Sequence, residues 1–122
     1  MPFQRLLKQL VDSVEGASGA ILLESAGEAV QWHAVDESHA ERLRLRSAYV
    51  AVVLQNSRAL AARNAAGEAA HLVLQYDGAS FIAQAVEQDY FIVVELYSSA
   101  NIGQALHRLQ PMIARLRRQL GG

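Results

Sequence analysis

The sequence predicts an α+β domain whose elements run helix, strand, strand, helix, strand, strand, strand, helix. Three observations predict it. Apolar residues keep helical spacing at both ends of the chain; short β-prone runs separated by glycine or polar turns fill the space between; and one long central segment starts at a helix-capping signal. With 122 residues, 52% of them hydrophobic, the chain has the length of one domain and enough apolar surface for a core. Residues 1–122 are expected to form that single domain, with no linker, repeat or low-complexity segment.

Phe3, Leu6, Leu7, Leu10, Val11 and Val14 mark one face of a first helix over roughly 3–15, with Gly16 where a C-terminal cap belongs. Ala20 to Leu23 is an unbroken apolar run, too short for a helix and preceded by Gly19, and reads as a central strand buried on both faces. Ser25-Ala26-Gly27-Glu28 has the composition of a turn, and Glu28 to Ala34 alternates as a half-buried strand does, so residues 18–34 read as a hairpin. Trp32 is expected to anchor a sheet face rather than serve as a ligand platform.

Ser38 and Glu41 have the spacing of a capping box, and a long helix is expected from there to about Arg63. Ala48-Tyr49-Val50-Ala51-Val52-Val53-Leu54 places apolar side chains all around that helix, whereas a helix lying on a sheet needs one apolar face. A second copy of the chain is the favoured cover for the surplus face; the alternative is cover by the first and last helices.

His71 to Tyr76 reads as a strand, Asp77-Gly78 as a hairpin turn, and Ala79 to Val86 as the return strand. After the polar turn Glu87-Gln88-Asp89, Tyr90 to Leu96 is the most β-prone run and is expected to be the second central strand. Ser98 or Ser99 is placed to cap the last helix, whose stripe from Ile102 to Leu120 continues past Pro111, so a kink is expected there and not a boundary. Arg115, Arg117 and Arg118 fall in its final turns, where cations complement the helix dipole.

Charge and composition exclude several classes. Eleven basic against twelve acidic residues leave a formal net charge of −1, so nucleic acid is not expected as a partner. Cysteine is absent, which removes disulfides, thiolate metal sites and cysteine nucleophiles. The N-terminus lacks the pattern of a signal peptide and the longest strongly apolar run is too short to span a bilayer, so no membrane insertion and a cytoplasmic location are expected.

Candidate chemistry is thin. Gly16-Ala17-Ser18-Gly19 follows a helix and precedes a strand, the reverse of a phosphate cradle, which needs glycines leading into a helix N-terminus. His33, His39, His71 and His107 have no metal-binding spacing, and Ser18, Ser80 and Ser98 lack a nucleophile-elbow context. Glu24 and Glu95, at the ends of the two central strands, are the only carboxylates with a prospect of pairing as acid and base, and strand-end carboxylates are ordinarily solvated. Arg42, Arg44 and Arg46 fan around the long helix and have the chemistry to meet a partner's carboxylates or a phosphate; a solvated ring of ion pairs involving Glu41 is the simpler reading. No catalytic, metal or cofactor residue is assigned, and the chain is not expected to be an enzyme.

With this layout in place, the chain resembles the Roadblock dynein light-chain family, including bacterial MglB-type regulators of small GTPases. The resemblance spans nearly the whole chain and rests on Leu10-Val11 through Val14, Gly16, Gly19 to Leu23, Gly27, the long second helix, the strands around Asp77-Gly78, and Tyr90 to Leu96 leading into Ala100-Asn101-Ile102-Gly103-Gln104-Ala105. It implies a five-stranded antiparallel sheet in the order 2-1-5-4-3, with the second helix on one face and the terminal helices on the other. It also implies a homodimer in which the third strands, about 69–76, pair edge to edge while the second helices meet. Tyr49, Val50, Val53 and Leu54 of the helix and His71, Leu72, Val73 and Leu74 of the strand are the expected interface. Members of the family are platforms, and bacterial ones often act beside a Ras-like GTPase and alter its nucleotide cycle. The N-terminal extension of some MglB-type proteins has no counterpart in this sequence, which leaves a specific GTPase-activating role without support. The expected function is therefore a dimeric, non-catalytic scaffold or regulator of a Ras-like small GTPase; the alternative is a small-molecule sensor or a signalling scaffold with no GTPase partner.

Overall fold

The computed structural model describes residues 2–67 and 71–121. Helix α1 (Pro2–Ser13) is followed by strands β1 (Ala17–Glu24) and β2 (Ala29–Ala34), a single 3-10 turn (Glu37–His39), and helix α2 (Ala40–Arg63). Strands β3 (Leu72–Gln75), β4 (Ser80–Glu87) and β5 (Tyr90–Leu96) then lead to helix α3 (Ile102–Gln119). The expected element order holds throughout. The expected start of the third strand near 69 lies outside the described residues.

All five strands pair antiparallel in the order β2-β1-β5-β4-β3, which puts the two most apolar runs, β1 and β5, at the centre of the sheet. Because successive strand residues point to opposite faces, the same strands feed two separate cores. Ala20, Leu22, Ile82, Ile92 and Val94 pack with Leu7 and Leu10 of α1, Val14 just after it, and Leu109, Ile113 and Leu116 of α3. Ile21, Leu23, Phe81, Ala83, Phe91 and Val93 pack beneath Val50, Ala51 and Leu54 of α2. The terminal helices therefore share one face of the sheet, and α2 lies alone on the other.

Gly16 closes α1 at φ +88°, a conformation that L side chains rarely adopt, and a Cβ there would stand 2.6 Å from Cβ of Ala100. The Tyr97 N–H donates to the Gly16 carbonyl at 2.8 Å. Gly19 lets α2 settle onto β1: a Cβ at that position would meet Leu43 Cδ2 at 2.8 Å. The two glycines of the helix-to-strand junction thus serve backbone turning and close packing.

Two capping expectations are corrected. Ser38 does not cap α2, because its N–H and its hydroxyl both donate to Asp36 Oδ1, at 3.0 and 2.8 Å, and this short-range turn inserts the 3-10 segment before α2 begins. The last helix is capped by Asn101, whose Oδ1 accepts the Gln104 N–H at 3.0 Å. Ser98 and Ser99 are taken up by a turn that the Ala100 N–H closes onto the Tyr97 carbonyl at 3.0 Å. Helix α3 runs through Pro111 without a boundary, and Arg117 near its end donates from Nε to the Val86 carbonyl at 2.8 Å, tying the helix to β4.

Candidate interaction surface

Helix α2 divides into two ridges. Leu43, Ser47, Val50, Ala51 and Leu54 face the sheet and are buried. Leu45, Tyr49, Val52, Val53 and Leu60 face outward and are exposed, Tyr49 to 69%. From Leu45 to Leu60 the outward ridge extends about 22 Å at 1.5 Å per residue. Since α1 and α3 lie across the sheet, neither covers it, which disposes of the alternative cover considered from the sequence.

The structure sorts the expected interface residues. Val50 and Leu54 are 5% and 1% exposed, held against the sheet, while Tyr49 and Val53 stand outward. Leu72, Val73 and Leu74 are half-buried along β3, and His71 just before the strand is exposed. Between α2 and β3 runs an open groove of about 370 Å³, lined by Tyr49, Val53, Leu74, Tyr76 and Phe81 with Val50 at its floor.

Beside the groove, β3 leaves one edge of the sheet open. The Tyr76 N–H donates to the Ala79 carbonyl at 2.9 Å, which sets the phase of the β3–β4 ladder. With Leu74 opposite Phe81 and Leu72 opposite Ala83, those pairs exchange hydrogen bonds, and the backbone groups of Val73 and Gln75 point away from β4.

At the N-terminal end of α2 lies a buried carboxylate that the sequence reading placed in solvent. Glu95 is 2% exposed. Its strand ends one residue later at buried Leu96, so the acid sits inside the sheet layer. The β1–β5 register skips Ser18, with Ala17 opposite Leu96 and Gly19 opposite Glu95, and this bulge turns the Ser18 hydroxyl to donate to Glu95 Oε1 at 2.8 Å. His39 Nε2 also bonds Oε1, and Arg46 Nη1 donates to Oε2 at 3.1 Å. Arg42 Nε donates to His39 Nδ1 at 2.7 Å, so Nδ1 is the acceptor and Nε2 carries the proton toward Glu95. Burial alone raises the Glu95 pKa; hydrogen bonds from His39, Ser18 and Arg46 outweigh it and hold the carboxyl below its ordinary value.

This arrangement ties the carboxylate to three partners and differs from a nucleophilic triad. A nucleophilic triad places histidine between serine and acid, whereas here the acid lies between serine and histidine, and both ring nitrogens are engaged. Glu24 is no partner for Glu95, because antiparallel pairing puts them at opposite ends of the sheet, Glu24 opposite Tyr90 and Glu95 opposite Gly19.

The three arginines do not form the expected ring with Glu41. Arg46 reaches Glu95, Arg42 reaches His39, and the Arg44 guanidinium lies 4.4 Å from the centroid of the Trp32 ring. Trp32 is thus half-buried on the α2 side of the sheet under a cation. Among the described residues no cluster of His, Asp and Glu is placed to hold a metal ion, and no helix is long and apolar enough to cross a membrane.

Helices on both faces of a five-stranded antiparallel sheet, with an uncovered apolar helix ridge beside an open sheet edge, define a domain whose distinctive feature is a surface. Comparison with protein-family models and with curated proteins finds no match. Among solved structures, a Roadblock/LC7 domain from Streptomyces avermitilis superposes with a TM-score of 0.83 at 18% identity, covering 98% of each chain. The gliding protein MglB of Thermus thermophilus gives 0.77 at 16% identity over 93% of this chain and 84% of its own. MglC of Myxococcus xanthus gives 0.72 at 22% identity over 98% and 99%. The chain has the Roadblock/LC7 fold.

Proposed function

We propose that the chain is a homodimeric, non-catalytic platform that docks a Ras-like small GTPase and alters its nucleotide cycle or its placement. The observation that carries this reading is the outward apolar ridge of α2 running beside the open edge of β3. Two copies related by a twofold axis would pair their β3 strands antiparallel through Val73 and Gln75, with Tyr49 and Val53 meeting across the groove and Leu72 and Leu74 lining it. His71 would stand at the rim, and Val50 and Leu54 would support the contact from beneath. An apolar edge strand left unpaired invites aggregation, so self-pairing also removes a liability.

The joined α2 helices would offer the partner a broad surface flanked by Arg42, Arg44 and Arg46. Regulation needs no side chain in the nucleotide site: binding that favours one switch conformation of a GTPase shifts its cycle. The likeness to a gliding protein MglB and to MglC supports a regulatory setting.

Light scattering at micromolar concentration should give twice the 13.3 kDa chain mass, and a monomer would overturn the dimer. For the partner, nucleotide hydrolysis and exchange by a Ras-like protein encoded beside this chain should change when the chain is added. Absence of both binding and any rate change would overturn the GTPase reading.

A further inference from the structure

A five-stranded sheet that dimerises through β3 still presents a second free edge, β2, at each end of the doubled sheet. If β2 were as open as β3, dimers would add end to end without limit. The two edges are built differently.

On β2, the Val35 N–H donates to the Ser18 carbonyl at 3.0 Å, so Ser18–Val35, Ala20–His33 and Leu22–Gln31 are the pairs that exchange hydrogen bonds. The backbone groups of Ala34 and Trp32 therefore point outward, where a new strand would seek them, with the Trp32 N–H at the middle of the strand. That N–H is already taken: Gln31 Oε1 accepts it at 3.1 Å. One step along, Gln31 lies opposite Leu22 and Ala29 opposite Leu23, so Val30 is an extra residue that bulges the strand and breaks the regular ladder. The Arg44 guanidinium over Trp32 sets a cation beside the same edge. Strand β3 has none of these features: its pairing with β4 is unbroken from Leu72 to Gln75, and among the described residues no side chain caps the outward groups of Val73 or Gln75.

We propose that β2 is a blocked edge, with the Gln31 side chain and the Val30 bulge as the blocking devices, so that assembly through the sheet stops at two copies of this chain. This rests on the β3 dimer proposed above. Capping the Trp32 donor removes the mid-strand hydrogen bond an added strand would gain, and the bulge removes the straight register it would need to continue past it.

Sedimentation velocity over a wide concentration range tests it, using the wild-type chain, Gln31→Val, and Gln31→Val combined with deletion of Val30. The wild type should remain a dimer, and the combined variant should form larger species that grow with concentration. Adding Val73→Pro to the combined variant should cut those species back, because β3 can then no longer join the units. A combined variant that melts as a folded protein and stays a dimer would overturn the proposal. A wild-type monomer would overturn the dimer reading instead, and the cap is then read on its own. Amide exchange of Trp32 should be at least about twofold faster in Gln31→Ala than in wild type, the loss expected for one modest hydrogen bond. Equal rates would overturn the cap whatever the oligomeric state, and this measurement also decides the matter should the deletion variant fail to fold.

Discussion

Glu95 joins four elements through one side chain: it sits on β5, takes a hydroxyl from β1, an imidazole from the 3-10 turn and a guanidinium from α2. Its ordinary value of 4.5 applies to the unfolded chain, and the folded value lies below it. The native state therefore binds this proton less tightly than the unfolded state. The stabilisation is fully present above about pH 4.5 and is lost as the pH falls through the folded value. Urea midpoints measured against pH should fall more steeply on acidification below that point in the wild type than in Glu95→Gln. At neutral pH the variant should be less stable by about 1–3 kcal/mol, because buried donors lose a charged acceptor. Ser47 presents the opposite case. Its hydroxyl is fully buried between α2 and the sheet with no hydrogen-bond partner among the described residues, so Ser47→Ala should leave stability unchanged or raise it by up to about 1 kcal/mol, seen as an equal or higher Tm.

At the scale of elements, α2 has one ridge packed on the sheet and one left exposed, which we propose serves association. Leu43 and Leu54 hold it on the sheet, whereas Val53 and Tyr49 make little of the core. Val53→Glu should keep the far-UV circular dichroism of the wild type while shifting the protein toward monomer in light scattering, since a carboxylate would then face its own copy across a desolvated groove. A variant that remained a dimer of undiminished affinity would place the interface elsewhere. The all-round apolar pattern of Ala48 to Leu54 signalled that the helix carries more apolar surface than the sheet covers, but not which residues would be buried and which exposed. A helix rotated slightly about its axis would bury a different set, and only contact with Gly19 and the strands beneath decides the rotation.

At the scale of the whole molecule, the proposed dimer joined by β3 and α2 would link folding to concentration. Its thermal midpoint should rise as protein concentration rises, by mass action on a folded state that binds itself; a midpoint independent of concentration would count against the assembly. The order of elements was legible along the chain because each is written locally. Apolar residues at helical spacing, short β-prone runs and turn residues such as Gly27 and Asp77-Gly78 act over a few neighbours. The strand order and the sides taken by the helices came from the resemblance and match the structure. What the local pattern could not carry were contacts between residues far apart in the chain: Ser18 with Glu95, Arg46 with Glu95, Arg44 with Trp32. An acid near the end of a strand looks solvated in one dimension, and a bulge that turns a serine toward it exists only once two strands are registered. The sequence by itself determined the elements and their apolar faces, because these follow from periodicity and turn chemistry within each segment. The tertiary structure alone decided which apolar face stayed open, which edge was capped and which carboxylate was buried, because those depend on register and helix rotation between segments far apart in the chain.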